Sequence, residues 1–198
     1  NIIPYTAEAY KAKKYAFVSD YARFWILYKY GGLYFDTDVE VIKNMDDIIA
    51  KGPFMGRENE VNIMAMPTKI GVNPGLGLGV NPGHKMFGEI LQWYNTHHFI
   101  TWMGVIEKNV VDITTDILSK KGFKDIGGRI LLSSGILIYP KEYFCPKDYL
   151  TEKMNITDNT RSIHHYSATW LVGKRTVVDK IKKRVKFIKI RLLSSFSK

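Results

Sequence analysis

Cysteine is nearly absent from this 198-residue sequence. The single residue, Cys145, excludes an internal disulfide and any zinc site built from cysteines. Lying between Phe144 and Pro146 with no adjacent base, it reads as a packed thiol. No apolar run approaches the roughly 18 residues that span a bilayer, and no secretory signal opens the sequence. The expectation is therefore a soluble or peripheral, cytoplasmic protein. No strand signal precedes the first helical pattern after Asn1, so a piece upstream is expected. Internal repeats and low-complexity segments are also missing, and the glycine-rich stretch 73–83 lacks a phosphate-loop lysine.

Acidic residues are scarce at the C-terminus. Residues 173–198 hold ten lysines and arginines against Asp179 alone, nine of the formal net charges of +10. The body, residues 1–172, is close to neutral, so a protein-wide affinity for polyanions is excluded. From Val177 to Leu192 apolar residues recur at spacings of three and four, which predicts a basic amphipathic helix. Such a helix fits the inner face of an anionic membrane, or, in the plainer reading, docks its stripe on the body. Nucleic acid is not expected as a partner, because no aromatic-basic platform accompanies the charge.

Few breakers interrupt residues 7–30, which predicts one long helix or two in succession, stopped at Gly31-Gly32. Strands are expected at Leu33–Asp36 and Val39–Ile42, a capped turn at 44–49, and short strands at 53–57 and 63–66. The glycine-rich stretch reads as a close-packed strand, 84–94 and 105–121 as helices, 129–139 as two apolar runs, and 163–170 as a strand or loop. This alternation indicates an α/β architecture with one principal domain over 1–172.

In an extended chain Asp36 and Asp38 point the same way, with Tyr34 and Glu40 on that face too. Two converging carboxylates repel each other unless a cation neutralises them, and Mg²⁺ or Mn²⁺ is commonly shared between carboxylates and substrate phosphates. An acidic turn at a strand end is the plainer reading of so short a pattern. Upstream, Asp20 and Arg23 share a face of a strongly apolar helix. Charges buried there persist when paired or bound to a ligand. His84, His97 and His98 have no nearby acid in a metal-like spacing and read as structural or surface residues.

Phe17-Val18-Ser19-Asp20-Tyr21-Ala22-Arg23 followed by Tyr30-Gly31-Gly32-Leu33-Tyr34-Phe35-Asp36-Thr37-Asp38-Val39-Glu40 resembles the signature of glycosyltransferases with a DXD motif in their sugar-binding region. Fungal initiating mannosyltransferases and bacterial capsular polysaccharide transferases are of this kind. Weaker similarity continues through the glycine-rich strand, residues 138–144 and residues 163–170. The resemblance implies a GT-A fold with a mixed central sheet flanked by helices. It also implies a metal-dependent hexosyltransferase of polysaccharide biosynthesis that uses a UDP- or GDP-sugar donor, a glycan or lipid-linked acceptor and Mn²⁺ or Mg²⁺, with retention of anomeric configuration.

Carried over by position, Asp20, Arg23, Asp36 and Asp38 form the catalytic set. Asp38 would bind the metal directly, and Asp36 would contact the donor ribose while supporting the metal. Asp20 and Arg23 would meet the sugar and its phosphate. Ser19, Tyr34, Asn73, Ser167 and Trp170 complete the donor contacts implied, although Ser19 and Trp170 also read as packing residues and Pro74-Gly75 blurs the register of Asn73. His165 is the preferred remaining metal ligand, with His164 as the alternative. The rival readings are a haloacid-dehalogenase-like phosphatase, whose downstream lysine and Gly-Asp-x-x-x-Asp elements are missing, and a non-catalytic metal-dependent nucleotide-sugar-binding module.

Overall fold

The computed structural model describes residues 3–59, 70–101, 104–105, 108–124, 126–148 and 152–167. Outside these lie the expected strand at 63–66, Trp170 and the basic segment 173–198. The first helical region is two helices in succession. Helix α1 (Pro4–Lys11) starts on proline, whose missing N–H costs nothing in a first turn. It breaks at Lys13, which takes the left-handed conformation (φ 58°). Helix α2 (Tyr15–Tyr30) buries Asp20, Arg23, Phe24 and Leu27, one face at spacings of three and four. It stops at Gly31 (φ 68°), where an added Cβ would meet Pro82 Cδ at 2.7 Å.

Strands β1 (Gly32–Tyr34) and β2 (Val39–Val41) follow, then the short helix α3 (Asp46–Ile49). Strands β3 (Phe54–Asn59) and β4 (Ile70–Val80) come next, and then helix α4 (Lys85–Thr96). A two-residue hairpin, β5 (Ile100–Thr101) and β6 (Gly104–Val105), occupies the start of what the sequence reads as a helix from Val105. Helix α5 (Val110–Lys120) begins only where the Asn109 side chain accepts from Asp112 N–H, a cap that periodicity does not register. The chain continues through β7 (Ile130–Leu131), β8 (Leu137–Tyr139), α6 (Lys141–Phe144) and β9 (Ser162–His164).

A five-stranded sheet runs in the order β1-β4-β3-β8-β7, with β3–β8 parallel and the other pairs antiparallel. This mixed sheet flanked by helices is the α/β class expected and is consistent with a GT-A fold. The larger apolar cluster joins Tyr5 of α1, Phe24 of α2, Phe87 and Ile90 of α4 and Ile113 of α5 to Met55, Val72 and Leu78 of the sheet. A second cluster gathers Ile48, Phe54, Leu76, Tyr139, Phe144 and Cys145. Burying side chains of this size contributes on the order of 1.5–3 kcal/mol each.

The glycines of β4 serve close approach. Between Met55 and Gly56 the β3–β4 register slips, so that Leu78 pairs with Met55 but Asn73 pairs with Gly56. Residues 74–77 therefore leave the ladder, and Pro74 sits in this irregularity, where its missing N–H breaks no strand bond. A Cβ at Gly77 would strike the Phe35 ring at 2.8 Å, and one at Gly79 would strike Phe54 at 2.4 Å. At Gly75 it would lie 2.0 Å from Asp36 Oδ2, so this glycine leaves room for a carboxylate.

Candidate metal and donor site

The acidic pair lies on a turn between β1 and β2, not on a continuous strand. Val39 N–H donates to Asp36 C=O (3.0 Å), and Asp36 N–H donates to Gly75 C=O (2.9 Å) in the displaced part of β4. The carboxylates do converge, as alternation along a strand predicts, but the turn achieves it. Glu40 leaves the group.

Partners for the pair come from the far end of the sequence. Strand β2 runs antiparallel to β9, with Val39 opposite His164, and His165 N–H donates to Asp38 C=O (2.9 Å). His164 is turned inward, at 8% exposure, with Nε2 3.3 Å from Asp38 Oδ1. One ligand atom from each of Asp36, Asp38 and His164 lies within 4.8 Å of the others. The second oxygen of Asp38 accepts from Ser167 N–H (2.8 Å).

Of the two candidate histidines, the geometry groups His164 with the carboxylates. Neighbouring residues of an extended segment face opposite ways. With His164 inward, His165 is exposed and its Nε2 lies 2.9 Å from Glu40 Oε2. His165 does border, with Thr37, Asp38, Glu40 and Ser167, an open recess of about 360 Å³ beside the carboxylates.

Helix α2 supplies a cation from below. Arg23 Nη2 donates to Asp20 Oδ1 at 2.6 Å. Its Nη1 lies 3.0 Å from Asp36 Oδ1, an ion-pair distance without hydrogen-bond alignment. The guanidinium packs 4.7 Å from the Tyr34 ring centroid, and the Tyr34 hydroxyl donates to Asp36 Oδ1 (2.9 Å). Burial alone would depress the Arg23 pKa, but Asp20 and Asp36 raise it further than burial lowers it. Burial pushes Asp20 up to about 6, against the pull of Arg23 and with the repulsion of Asp36. The hydroxyls of Tyr5 and Tyr94 are buried where they sense the charge of Asp20, and neither has a hydrogen-bond partner among the described residues.

Two other expected donor contacts are engaged within the protein. Ser19 donates to Ala16 C=O of its own helix (2.7 Å) and is not drawn to the carboxylates. Asn73 is buried, its Oδ1 accepts from Gly75 N–H (2.7 Å), and its side chain also hydrogen-bonds Glu58. Glu58 and the parts played by Tyr166 and Gly75 escaped the sequence reading. A Gly beside Pro74 was a signal for close approach, whereas a lone glutamate ending a strand carries none.

Two carboxylates and an imidazole, with one cation already shared between Asp20 and Asp36, are a donor set that fits a divalent ion. His164 Nδ1 is buried without a partner among the described residues, so the ring is held by packing and by its Asp38 contact. Residues 1–55 match the family model of the glycosyltransferase sugar-binding region containing DXD motif. Asp20, Arg23, Tyr34, Asp36 and Asp38 lie within the matched segment, whereas Asn73 and His164 lie beyond it. No curated protein and no solved structure gives a significant match. Residues 1–55 are thus similar to that sugar-binding region, and among the described residues Asp36, Asp38 and His164 form a group with the ligand types and spacing that suit a metal ion.

Proposed function

We propose that this chain belongs to a glycosyltransferase and transfers a hexosyl group from a UDP- or GDP-sugar to a glycan or lipid-linked acceptor in polysaccharide biosynthesis, such as that of a capsule. The observation that carries the reading is the convergence of Asp36, Asp38 and His164 directly above the buried Asp20–Arg23 pair. Mn²⁺ or Mg²⁺ held by Asp36, Asp38 and His164 would supply Lewis-acid stabilisation of the departing diphosphate. Asp38 is oriented for this by Ser167 N–H and His164, and Asp36 by Tyr34 and Arg23.

Asp20 accepts a donor-sugar hydroxyl in this reading, with Arg23 beside it facing the sugar phosphate. Tyr34 stands near the nucleotide and Asp36 near the ribose. Ser167, on the rim of the recess, lies toward the diphosphate, and Ser19, Asn73 and Trp170 remain proposed donor contacts. The bond from the anomeric carbon to the leaving phosphate oxygen breaks, and the acceptor oxygen bonds to that carbon on the same face. The acceptor proton passes to the leaving phosphate, so no enzymic base is required. Among the described residues no helix is long and apolar enough to cross a membrane. Contact with an anionic surface is proposed for residues 173–198.

Thermal unfolding measured with a panel of UDP- and GDP-sugars, with and without Mn²⁺, tests the function. One donor is expected to raise the transition temperature only with Mn²⁺, since a ligand that binds the folded state stabilises it by mass action. Asp38→Asn should remove that shift. A metal-independent shift, or phosphate release from simple monoesters, would overturn the reading.

A further inference from the structure

Glu58, on β3, is a half-buried carboxylate for which the proposed reaction has no use, and it touches both halves of the metal group's support. On one side it hydrogen-bonds the Asn73 side chain. Asn73 in turn holds Gly75 N–H at 2.7 Å, and Gly75 is the residue whose bare Cα admits Asp36 and whose carbonyl anchors the Asp36 N–H. On the other side Glu58 Oε2 accepts from the Tyr166 hydroxyl at 3.0 Å. The Tyr166 ring lies edge-on to the His164 ring, with centroids 4.2 Å apart.

Tyr166 is built for this reach. It is a non-glycine residue in the left-handed conformation (φ 54°), an arrangement that costs energy and persists only where its surroundings impose it. That turn sends its side chain inward and presents the next N–H, of Ser167, to Asp38 Oδ2. The Tyr166 hydroxyl is held from behind by Cys145, whose Sγ lies 2.9 Å away. Burial, followed by the charge of Glu58, pushes that thiol up to about 12, so it stays protonated and donates. A hydrogen-bonded line therefore runs from Cys145 through Tyr166, Glu58 and Asn73 to Gly75, passing under His164 and ending under Asp36.

Burying a carboxylate is costly unless its charge is answered. Burial raises the Glu58 pKa, and Asn73, His164 and Tyr166 oppose that rise, whereas Asp36 adds to it. An amide in its place would keep the shape but put a donor where a second acceptor oxygen stands, opposed to the Tyr166 hydroxyl and the Asn73 amide that both donate to Glu58. The carboxylate is explained by its two acceptor oxygens, which make one anchor common to the supports of Asp36 and His164.

We propose that Glu58 is a positioning residue that fixes Asp36 and His164 relative to each other for divalent-cation binding. The inference rests on the metal reading above, and it concerns residues that do not themselves meet the ion. Outer partners of ligands typically contribute about 10- to 100-fold to metal affinity.

Mn²⁺ titration of the full chain, followed by the electron paramagnetic resonance signal of the free ion, provides the test, alongside thermal unfolding of the metal-free proteins. Glu58→Gln is expected to weaken Mn²⁺ binding by about tenfold or more while the metal-free protein still unfolds cooperatively. Tyr166→Phe, which removes only the hydroxyl between Glu58 and Cys145, should weaken it in the same direction and stands in should the first variant fail to fold. Wild-type binding matched by either folded variant overturns the role of Glu58 and leaves the metal reading intact. Failure of the wild-type chain to bind Mn²⁺ overturns the metal reading, and this inference with it.

Discussion

Arg23 Nη1 lies 3.0 Å from Asp36 Oδ1, so a guanidinium in the middle of α2 reaches the first carboxylate of the acidic turn while its other nitrogen holds Asp20. The consequence is mechanical as well as electrostatic. Asp36 is pinned from below by Arg23, from the side by Tyr34 and through its backbone by Gly75, leaving Asp38 to face the open recess with the inward His164 beside it.

Arg23→Ala should be severe. Arg23 is only 5% exposed, and its removal leaves Asp20 and Asp36 without their cation. Breaking a buried pair from one side costs about 3–5 kcal/mol. Arg23→Lys should fall between this and the native protein, because a single ammonium lacks the planar fork that serves two carboxylates at once. Urea unfolding of the three proteins checks the order.

The two adjacent histidines should behave differently. His164→Ala removes a member of the inward group and is expected to weaken Mn²⁺ binding at least tenfold, whereas His165→Ala removes a ring bonded to exposed Glu40 and should change it less than about threefold. Calorimetric titration with Mn²⁺ separates them, and the opposite ranking would restore His165 as the ligand.

Gly75→Ala places a methyl group 2.0 Å from the Asp36 Oδ2 position, with Asn73 Oδ1 at 3.1 Å closing the other side. The carboxylate must move. Overpacking of this kind costs about 1–3 kcal/mol, and the larger effect is expected on Mn²⁺ affinity. A variant with unchanged affinity would show that Asp36 is not held where the close approach places it.

Asp20 predicts a pH dependence of stability. Its folded pKa of about 6 lies above the ordinary value of 3.8, chiefly through burial. The folded protein therefore holds a proton across that interval that the unfolded chain has released. Its stabilising contribution is complete below about pH 4 and is lost as the pH rises through 6. Asp20→Asn should flatten this part of the curve, measured by denaturant unfolding at intervals from pH 4 to 7, and an unchanged slope would refute the assignment.

Much of this site was readable in the one-dimensional pattern because its first half is local. The three-residue spacing of Asp20 and Arg23 placed them on one turn of a helix, and the observed 2.6 Å ion pair is the direct result. The double glycine ended that helix, and the two aspartates after β1 converged. Asp38 and His164, however, stand 126 positions apart, and their meeting depends on the register of β2 against β9. Slipping that register by one residue would turn His165 inward instead. Glu58 joins Asn73 and Tyr166 only because β4 leaves its ladder at residues 74–77 and Tyr166 turns left-handed. Periodicity within a segment reports which side chains share a face, but the pairing of distant strands, set by how all the faces pack together, selects which of them touch.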